Sequence, residues 1–188
     1  MCLAMKRLMP AFAVALLLAG CASLEETAPP LEPIAVDAYR LDSGDRLRVT
    51  VFGQPDLSGE FSVDGSGAVA LPLLQSVAAR GKTTDELAQH LKTVLSEKFL
   101  RDPVVSVEVA QYRPFYILGE VNRPGQYAYV NGMTVKTAAA IAGGFTFRAA
   151  TAQVVITRRA GEATHEGSAA VNAPVLPGDT VYVGERVF

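Results

Sequence analysis

The sequence contains only two cysteines in 188 residues, Cys2 and Cys21, and both lie in its N-terminal segment. Because a disulfide joins two cysteines, no disulfide framework can exist in the rest of the chain. Tryptophan is absent, and the two histidines, His90 and His165, are too few and too far apart in sequence to indicate a metal site. We therefore predict neither a disulfide-stabilised scaffold nor a bound metal ion.

Charge is also sparse, since charged residues make up 19% of the chain and the formal net charge is -2. Nucleic-acid-binding domains usually carry a marked excess of lysine and arginine, so no nucleic-acid partner is expected. Hydrophobic residues make up 49% of the sequence, which is enough to fill the core of one ordinary domain or of two small ones. The composition therefore indicates a folded chain.

No motif of catalytic or cofactor-binding chemistry is complete. Gly81-Lys82-Thr83 resembles the end of a phosphate-binding loop, but the required earlier glycine would fall at Ser76. No serine lies in a nucleophile-elbow context. Asp45 and Asp179 stand beside glycines and could be taken as paired carboxylates, yet turn formation explains both. We therefore predict no catalytic residue, no cofactor and no enzyme activity.

The N-terminal segment has the layout of a bacterial signal peptide. Lys6 and Arg7 precede an apolar run from Leu8 to Ala19, which is too short to span a bilayer core of about 30 Å. Leu18-Ala19-Gly20-Cys21 then resembles the lipobox, in which the cysteine thiol is diacylated and the peptide bond before it is cut. The alternative is an ordinary signal peptide that happens to end in cysteine. We predict a signal peptide over residues 1–20, with translation starting at Met1 or Met5.

Cys21 is accordingly the predicted lipidation site. Each buried methylene contributes about 0.8 kcal/mol, and two or more acyl chains hold a protein stably on a membrane. Ala22 replaces the aspartate that tends to retain such lipoproteins at the inner membrane, which favours the outer membrane, with the protein facing the periplasm. Residues 21–37, rich in proline and glutamate, are predicted to be the acylated cysteine and an extended tether.

Residues 38–112 are predicted to form a first unit of α+β structure, because alternating apolar patterns flank one helical pattern. The predicted segments are a strand at Arg46 to Phe52, a hairpin at 61–71 with its turn at 64–67, a helix with capping-box residues Thr83 and Glu86 that is stopped at 101–103, and a strand at Val104 to Val109.

Residues 113–188 are predicted to form a second unit with a β-grasp-like order of elements. Its alanine-rich helix should lie close to the sheet, so bulky replacements at Ala138 or Ala142 should be poorly tolerated. The predicted segments are a hairpin at 115–130 with its turn at 122–125, a helix capped by Thr134 that ends at Gly143-Gly144, a strand at Val154 to Thr157, a polar loop at Gly161 to Val171, and a strand at Val181 to Val183.

A series of short motifs runs in order through residues 38–188. These are Tyr39-Arg40-Leu41 with Ser43-Gly44-Asp45, Val63-Asp64-Gly65 leading to Leu71-Pro72, Asp102-Pro103-Val104, Gly119-Glu120-Val121 with Pro124-Gly125, Ala142-Gly143-Gly144, and Pro177-Gly178-Asp179 before Val183. Each motif alone is a common turn, and their shared order is specific. In this order they resemble the polysaccharide export family of bacterial outer-membrane lipoproteins, the Wza-like proteins.

The resemblance implies an α+β fold in which residues 38–112 are the polysaccharide export domain and residues 113–188 are a soluble-ligand-binding β-grasp (SLBB) domain. It implies rings of subunits, octameric in the best-known members, around a passage for the polymer. The implied partners are the polysaccharide, further copies of the chain and an inner-membrane polysaccharide co-polymerase. Long members continue into a pore-lining helix, whereas this sequence stops at 186–188. A separate outer-membrane β-barrel, or alternatively docking through the lipid alone, is therefore expected to supply the exit.

Three functions from different classes stay open. The subunit of an export ring is favoured. A small-ligand-binding or scaffolding β-grasp lipoprotein predicts a monomer with a compact pocket, and a periplasmic glycan hydrolase predicts paired acids in a cleft. Sugar stacking is conceivable at four tyrosines, although tyrosines at strand positions are more often packing residues. These are Tyr112, Tyr116, Tyr127 and Tyr129.

We expect the Cys21→Ser variant to be folded but lost from the membrane, because its anchor can no longer be attached. Cell fractionation would follow the protein, and an assay of polymer in the medium would follow export, which should be abolished. Normal export by this variant would contradict the predicted anchor.

Overall fold

The computed structural model of the protein describes Pro30, residues 39–161 and residues 163–186. The predicted signal peptide, Cys21 and, apart from Pro30, the predicted tether lie outside these described residues. Within the described residues, two α-helices, ten strands and a short 3₁₀ turn make up an α+β fold, as the sequence predicted. Neither helix within the described ranges combines the length and the apolar character needed to cross a membrane.

The first unit combines a three-stranded sheet, a two-stranded hairpin and a long helix. Its elements are β1 (Arg46–Val51), β2 (Gly59–Ser62), β3 (Ala68–Leu71), β4 (Gln75–Ala78), α1 (Thr84–Lys98) and β5 (Val105–Gln111). The sheet has the order β2-β1-β5, and β1 runs antiparallel to both neighbours. Leu47, Val49 and Val51 alternate with exposed side chains along β1 and enter the core.

Helix α1 closes the core of the first unit. The Thr83 hydroxyl accepts a hydrogen bond from the Glu86 amide at 3.1 Å, and the Glu86 carboxylate accepts one from the Thr83 amide at 2.9 Å, so the predicted capping box is confirmed. Leu87, Leu91 and Leu95 repeat every four residues and are all buried. This spacing places them on one face of the helix, against the sheet.

The hairpin predicted at 61–71 is only partly correct. The turn forms as predicted, since the Asp64 carboxylate accepts hydrogen bonds from the backbone amides of Ser66 and Ala68. However, the strand after the turn pairs with β4, and a single bridge between Val63 and Val69 joins the two predicted arms. Strand β4 escaped prediction because it is four residues long and has only one buried side chain.

The second unit packs a short helix on a five-stranded sheet. Its elements are β6 (Phe115–Gly119), β7 (Gly125–Tyr127), α2 (Val135–Ile141), β8 (Gln153–Ala160), β9 (Ala163–Ala170) and β10 (Thr180–Val183). The sheet has the order β7-β6-β10-β8-β9, in which β10 runs parallel to β6 and antiparallel to β8. The predicted β6–β7 hairpin is therefore confirmed, and the last strand of the chain lies at the centre of the sheet.

The polar loop predicted from Gly161 to Val171 is wrong, because most of it is strand β9. This strand pairs with β8 from Ala163 to Ala170 without a register shift. Its first four side chains are all exposed, and only Gly167 and Ala169 are buried. The segment is polar because an edge strand buries few apolar side chains. Strand prediction from alternating apolar residues does not detect such a strand.

Helix α2 has the predicted cap and ending. The Thr134 hydroxyl accepts a hydrogen bond from the helix at its N-terminus, and Gly143 and Gly144 both adopt positive φ after its last turn. Ala138 and Ala142 are completely buried against the sheet. Both alanines belong to the hydrophobic core of the second unit, so a larger side chain at either position would have to displace core neighbours.

Replacing Ala138 with leucine should lower the free energy of unfolding by about 1–3 kcal/mol, because the added methylenes have no space in a packed core. Ala140→Leu is the matched control, since Ala140 lies on the exposed side of the same helix and should change stability by less than about 0.5 kcal/mol. Urea unfolding of the three proteins would measure the difference. Equal stability of the two variants would contradict the close packing.

Candidate functional site

In the described part of the chain, an unusual group of buried charged side chains lies where the two units meet. Strand β5 ends at Gln111 and β6 begins at Phe115, so three residues connect the units. The buried charged side chains of the described ranges gather beside this connection: Asp42, Asp45, Arg158 and Asp179. Buried charges need partners, because desolvating an unpaired ion costs several kcal/mol. We call this region the joint.

Two similar turns face each other at the joint, one from each unit. Asp42–Asp45 precedes β1 and Leu176–Asp179 precedes β10. In each turn the third residue is a glycine with positive φ, +94° at Gly44 and +84° at Gly178. The carboxylate of the final aspartate accepts a hydrogen bond from the backbone amide of the first residue, at 2.9 and 2.7 Å respectively. The turn roles predicted for these aspartates are therefore confirmed.

Arg113, in the connection, is packed between these two turns. Its backbone amide donates to Asp45 Oδ1 at 3.0 Å, and its guanidinium lies 3.3 Å from Asp45 Oδ2. A Cβ atom added to Gly178 would lie 2.5 Å from Arg113 Nε, and one added to Gly44 would lie 3.5 Å from Arg113 Cβ. Gly178 therefore gives the arginine room as well as forming its turn, whereas a Cβ at Gly44 would make only an ordinary contact.

Tyr39 completes the surroundings of Asp45. Its hydroxyl donates to the Asp45 carboxylate at 2.7 Å and accepts from the Arg113 guanidinium at 2.7 Å. Burial and the hydrogen bond to Asp45 raise the pKa of the Tyr39 hydroxyl far above its ordinary value, so it stays a proton donor at neutral pH. The Arg113 guanidinium also lies over the Tyr39 ring, 5.6 Å from its centroid.

Asp42 links the units a second time. Its carboxylate accepts hydrogen bonds from Arg80 in its own unit at 2.9 Å and from Arg159 on β8 at 3.2 Å. Burial raises the pKa of Asp42, but the Ser43 amide and the charges of Arg113, Arg80 and Arg159 outweigh that effect and hold it below its ordinary value of 3.8. Because the Arg159 side chain is half exposed, its contribution to stability should be small.

Asp179 has a comparable partner inside the second unit. Arg158 donates two hydrogen bonds to its carboxylate, at 2.8 and 2.6 Å, and both side chains are buried. This bidentate geometry is the strongest form of an arginine–carboxylate pair. It ties β8 to the turn that begins β10.

The structure places the remaining candidate residues in several different surroundings. Tyr112 packs edge-on between Tyr39 and Tyr129, with ring centroids 5.0 and 5.4 Å apart, and Tyr127 stacks on the buried Phe115. These tyrosines are packing residues, as the more common interpretation held. Tyr116, His90 and His165 are exposed elsewhere, and Gly81-Lys82-Thr83 forms the loop and cap before α1. In the part of the chain that the structure describes, no group of three potential ligands could hold a metal ion.

Sequence reasoning missed the arginines of the joint. Arg80 and Arg159 are 38 and 117 residues from Asp42, and no local pattern connects residues so far apart. For Arg113 a weak signal existed, because a charged residue stands in a three-residue connection between two apolar strands. The contacts at the joint hold the two domains in one relative orientation. The carboxylates of the joint bind arginines and the backbone amides of their own turns.

Comparison with known proteins divides the chain into two domains at the joint. Residues 34–110 match the family of polysaccharide biosynthesis/export proteins, and residues 114–169 match the SLBB domain. The chain contains a polysaccharide biosynthesis/export domain followed by an SLBB domain. The two matches stop and start on either side of Arg113, so the joint connects the export domain to the SLBB domain.

A relative of this chain is the exopolysaccharide production protein ExoF of Rhizobium meliloti (strain 1021). It is 41% identical over 120 residues, which cover 57% of this chain and 28% of ExoF. The chain therefore spans less than a third of the length of that relative. The export family and the relative are named for polysaccharide biosynthesis, export and production.

Several motifs that carried the family resemblance meet at the joint. Tyr39 and Asp45 belong to the first motif, and Gly178 and Asp179 belong to the last. The Gly65 carbonyl, from the second motif, accepts a hydrogen bond from the Arg80 guanidinium at 2.9 Å. Turns that are individually common in sequence thus form one connected structure in the folded chain.

Gly178→Ala should be strongly destabilising, because alanine is strained at positive φ and its Cβ would collide with Arg113. Gly132→Ala is the matched control, since Gly132 has a φ of +77° but nothing within 4 Å of an added Cβ. We expect Gly178→Ala to lose about 1–3 kcal/mol more than the control, by the usual cost of overpacking. Thermal and urea unfolding would measure both losses, and equal losses would contradict the packing of Arg113 against the turn.

Asp42→Asn should destabilise the protein at neutral pH, because three arginines lose a carboxylate partner. The pKa of Asp42 is lowered in the folded state, so its stabilisation is present above the unfolded pKa and is lost as pH falls through the folded pKa. The difference in unfolding free energy between wild type and Asp42→Asn should therefore be constant at neutral pH and shrink below pH 3.8. Urea unfolding at several pH values would test this, and a difference independent of pH would contradict the ion pairs.

Proposed function

We propose that this chain is a lipid-anchored subunit of a polysaccharide export complex. Cys21 is the acylated residue, the outer membrane is its location, and both domains face the periplasm. The observation that carries the proposal is the pairing of an export domain with an SLBB domain on either side of one buried joint. The signal-peptide pattern before Cys21 supports the location.

The same proposal includes assembly with copies of itself into a ring through which polymer passes, and contact with an inner-membrane polysaccharide co-polymerase. Two contrasting sheet faces support it. The outer face of the export-domain sheet is polar, with Arg48 paired to Glu60 at 2.9 Å, as suits contact with a hydrated polymer. The outer face of the SLBB sheet exposes Tyr116, Leu118 and Tyr182 by 40–47%, and such patches are typical of surfaces that bind other proteins.

In this proposal the protein is not an enzyme. The buried carboxylates of the joint support that view, because Asp45 and Asp179 are each occupied by an arginine and by their own turn. A general acid or base must instead be within reach of a substrate. The alternative of a small-ligand-binding lipoprotein gains no support from the hollow in the core of the export domain, which is lined by apolar side chains without a polar group to orient a ligand.

The mass of the native protein tests the proposal. The chain would be expressed with its own signal, extracted in detergent and measured by light scattering, with negative-stain images of the same particles. We expect closed rings of many subunits that contain an acylated N-terminal cysteine by mass spectrometry. A monomer over a wide concentration range would contradict the ring and favour the small-ligand alternative.

A further inference from the structure

The SLBB sheet has one long open edge. Strand β9 pairs with β8 over eight residues, and in the described chain no named strand of the sheet lies on its other side. The opposite edge of the sheet, β7, is only three residues long. An unpaired edge presents free backbone amides and carbonyls to any extended segment, so natural proteins usually cover or obstruct it.

The second half of β9 contains nothing that obstructs pairing. Gly167, Ser168, Ala169 and Ala170 are small and uncharged, and the chain has no proline there. The usual devices against pairing are charged side chains, prolines and bulges. Small side chains also let another backbone approach closely. This half of the edge is therefore suited to receive a strand.

A residue of the same chain already lies at this position. Pro30 forms a parallel β-bridge with Ser168, near the middle of the open half of β9. Proline lacks an amide hydrogen but is tolerated at sheet edges, where one side of a strand needs no partner. Pro30 is nine residues after Cys21 and nine residues before Tyr39.

We propose that the open edge of β9 is the binding site of the N-terminal stem of the same chain, here defined as residues 22–38, and that this contact keeps the SLBB domain close to the membrane. The membrane part rests on the proposed anchor at Cys21. The edge contact does not, because it depends only on Pro30 and β9.

Chain length favours the same subunit over a neighbour as the source of the stem. Nine residues reach at most about 32 Å. Tyr39 is fixed at the joint by Asp45, and Arg159 of β8 touches the same turn through Asp42. Thr164, which is in register with Arg159, is four residues from Ser168, or about 14 Å along a strand. The stem can therefore pass from Ser168 to Tyr39 within one subunit.

The same arithmetic limits the distance to the membrane. If Cys21 is acylated, Ser168 lies within about 32 Å of the lipid surface, because nine residues separate Cys21 from Pro30. Without the edge contact, eighteen residues would connect Cys21 to Tyr39 and allow a separation of about 65 Å. A domain of this size is about 29 Å across, so the contact would keep Ser168 within about one domain diameter of the membrane.

Disulfide trapping in the full chain tests the edge contact. Pro30→Cys would be combined with Ser168→Cys, or with Glu60→Cys on β2 of the export domain as a control. We expect an intramolecular disulfide, seen as faster migration on a non-reducing gel, only in the first pair. Absence of that disulfide, equal trapping at Glu60, or disulfide-linked dimers alone would overturn the proposal. In a Cys21→Ser background the disulfide should persist, which separates the edge contact from lipidation.

Spin labels test the position relative to the membrane. Ala170→Cys, next to the bridge, and Gln89→Cys, on the exposed side of α1, would be labelled in the lipidated protein on vesicles that contain a nickel-chelating lipid. We expect stronger paramagnetic broadening at Ala170. Equal broadening, or stronger broadening at Gln89, would overturn the membrane placement. Failure of the protein to associate with vesicles would instead count against the anchor at Cys21, and the membrane placement would fall with it.

Discussion

The complete burial of the Asp45 carboxylate is the constraint on which the joint depends. A carboxylate removed from water needs donors on every side, because an uncompensated buried charge is strongly destabilising. Here the donors are the turn's own backbone, the Tyr39 hydroxyl and Arg113. Arg113 belongs to the connection between the domains. The buried charge of Asp45 is therefore compensated only when the chain leaves the export domain and enters the SLBB domain at this position and in this direction.

The second turn shows the same physical solution within one domain. Asp179 fixes its turn and is paired with Arg158, and the central strand β10 starts directly after it. Gly178 must remain without a side chain because the Arg113 guanidinium occupies that space. The position of the Arg113 side chain therefore depends on both turns. Through this side chain, the packing of each domain is coupled to the backbone geometry of the other.

Local signals in the sequence predicted most elements, and distant pairing explains what they missed. The capping box of Thr83 and Glu86 and the glycines after α2 act within a few residues, so their positions could be predicted. Strand β9 was missed because its neighbours, and not its own apolar pattern, make it a strand. The two aspartate turns were predicted, but the partners of Asp42 were not, since Arg159 is 117 residues away and only the folded chain brings them together.

The three-residue connection has a geometric consequence for any assembly of identical copies. In a closed ring each subunit must turn by the same fraction of a circle, and a small angular error within one subunit is repeated at every step until the ring fails to close. A long, flexible linker would allow many different angles between the two domains of one subunit. Arg113 is held by an ion pair with Asp45 and packs against Gly178, where no space is left for a side chain, and it gives each copy one shape. The curvature of an assembly can therefore be set inside the subunit before any two subunits meet.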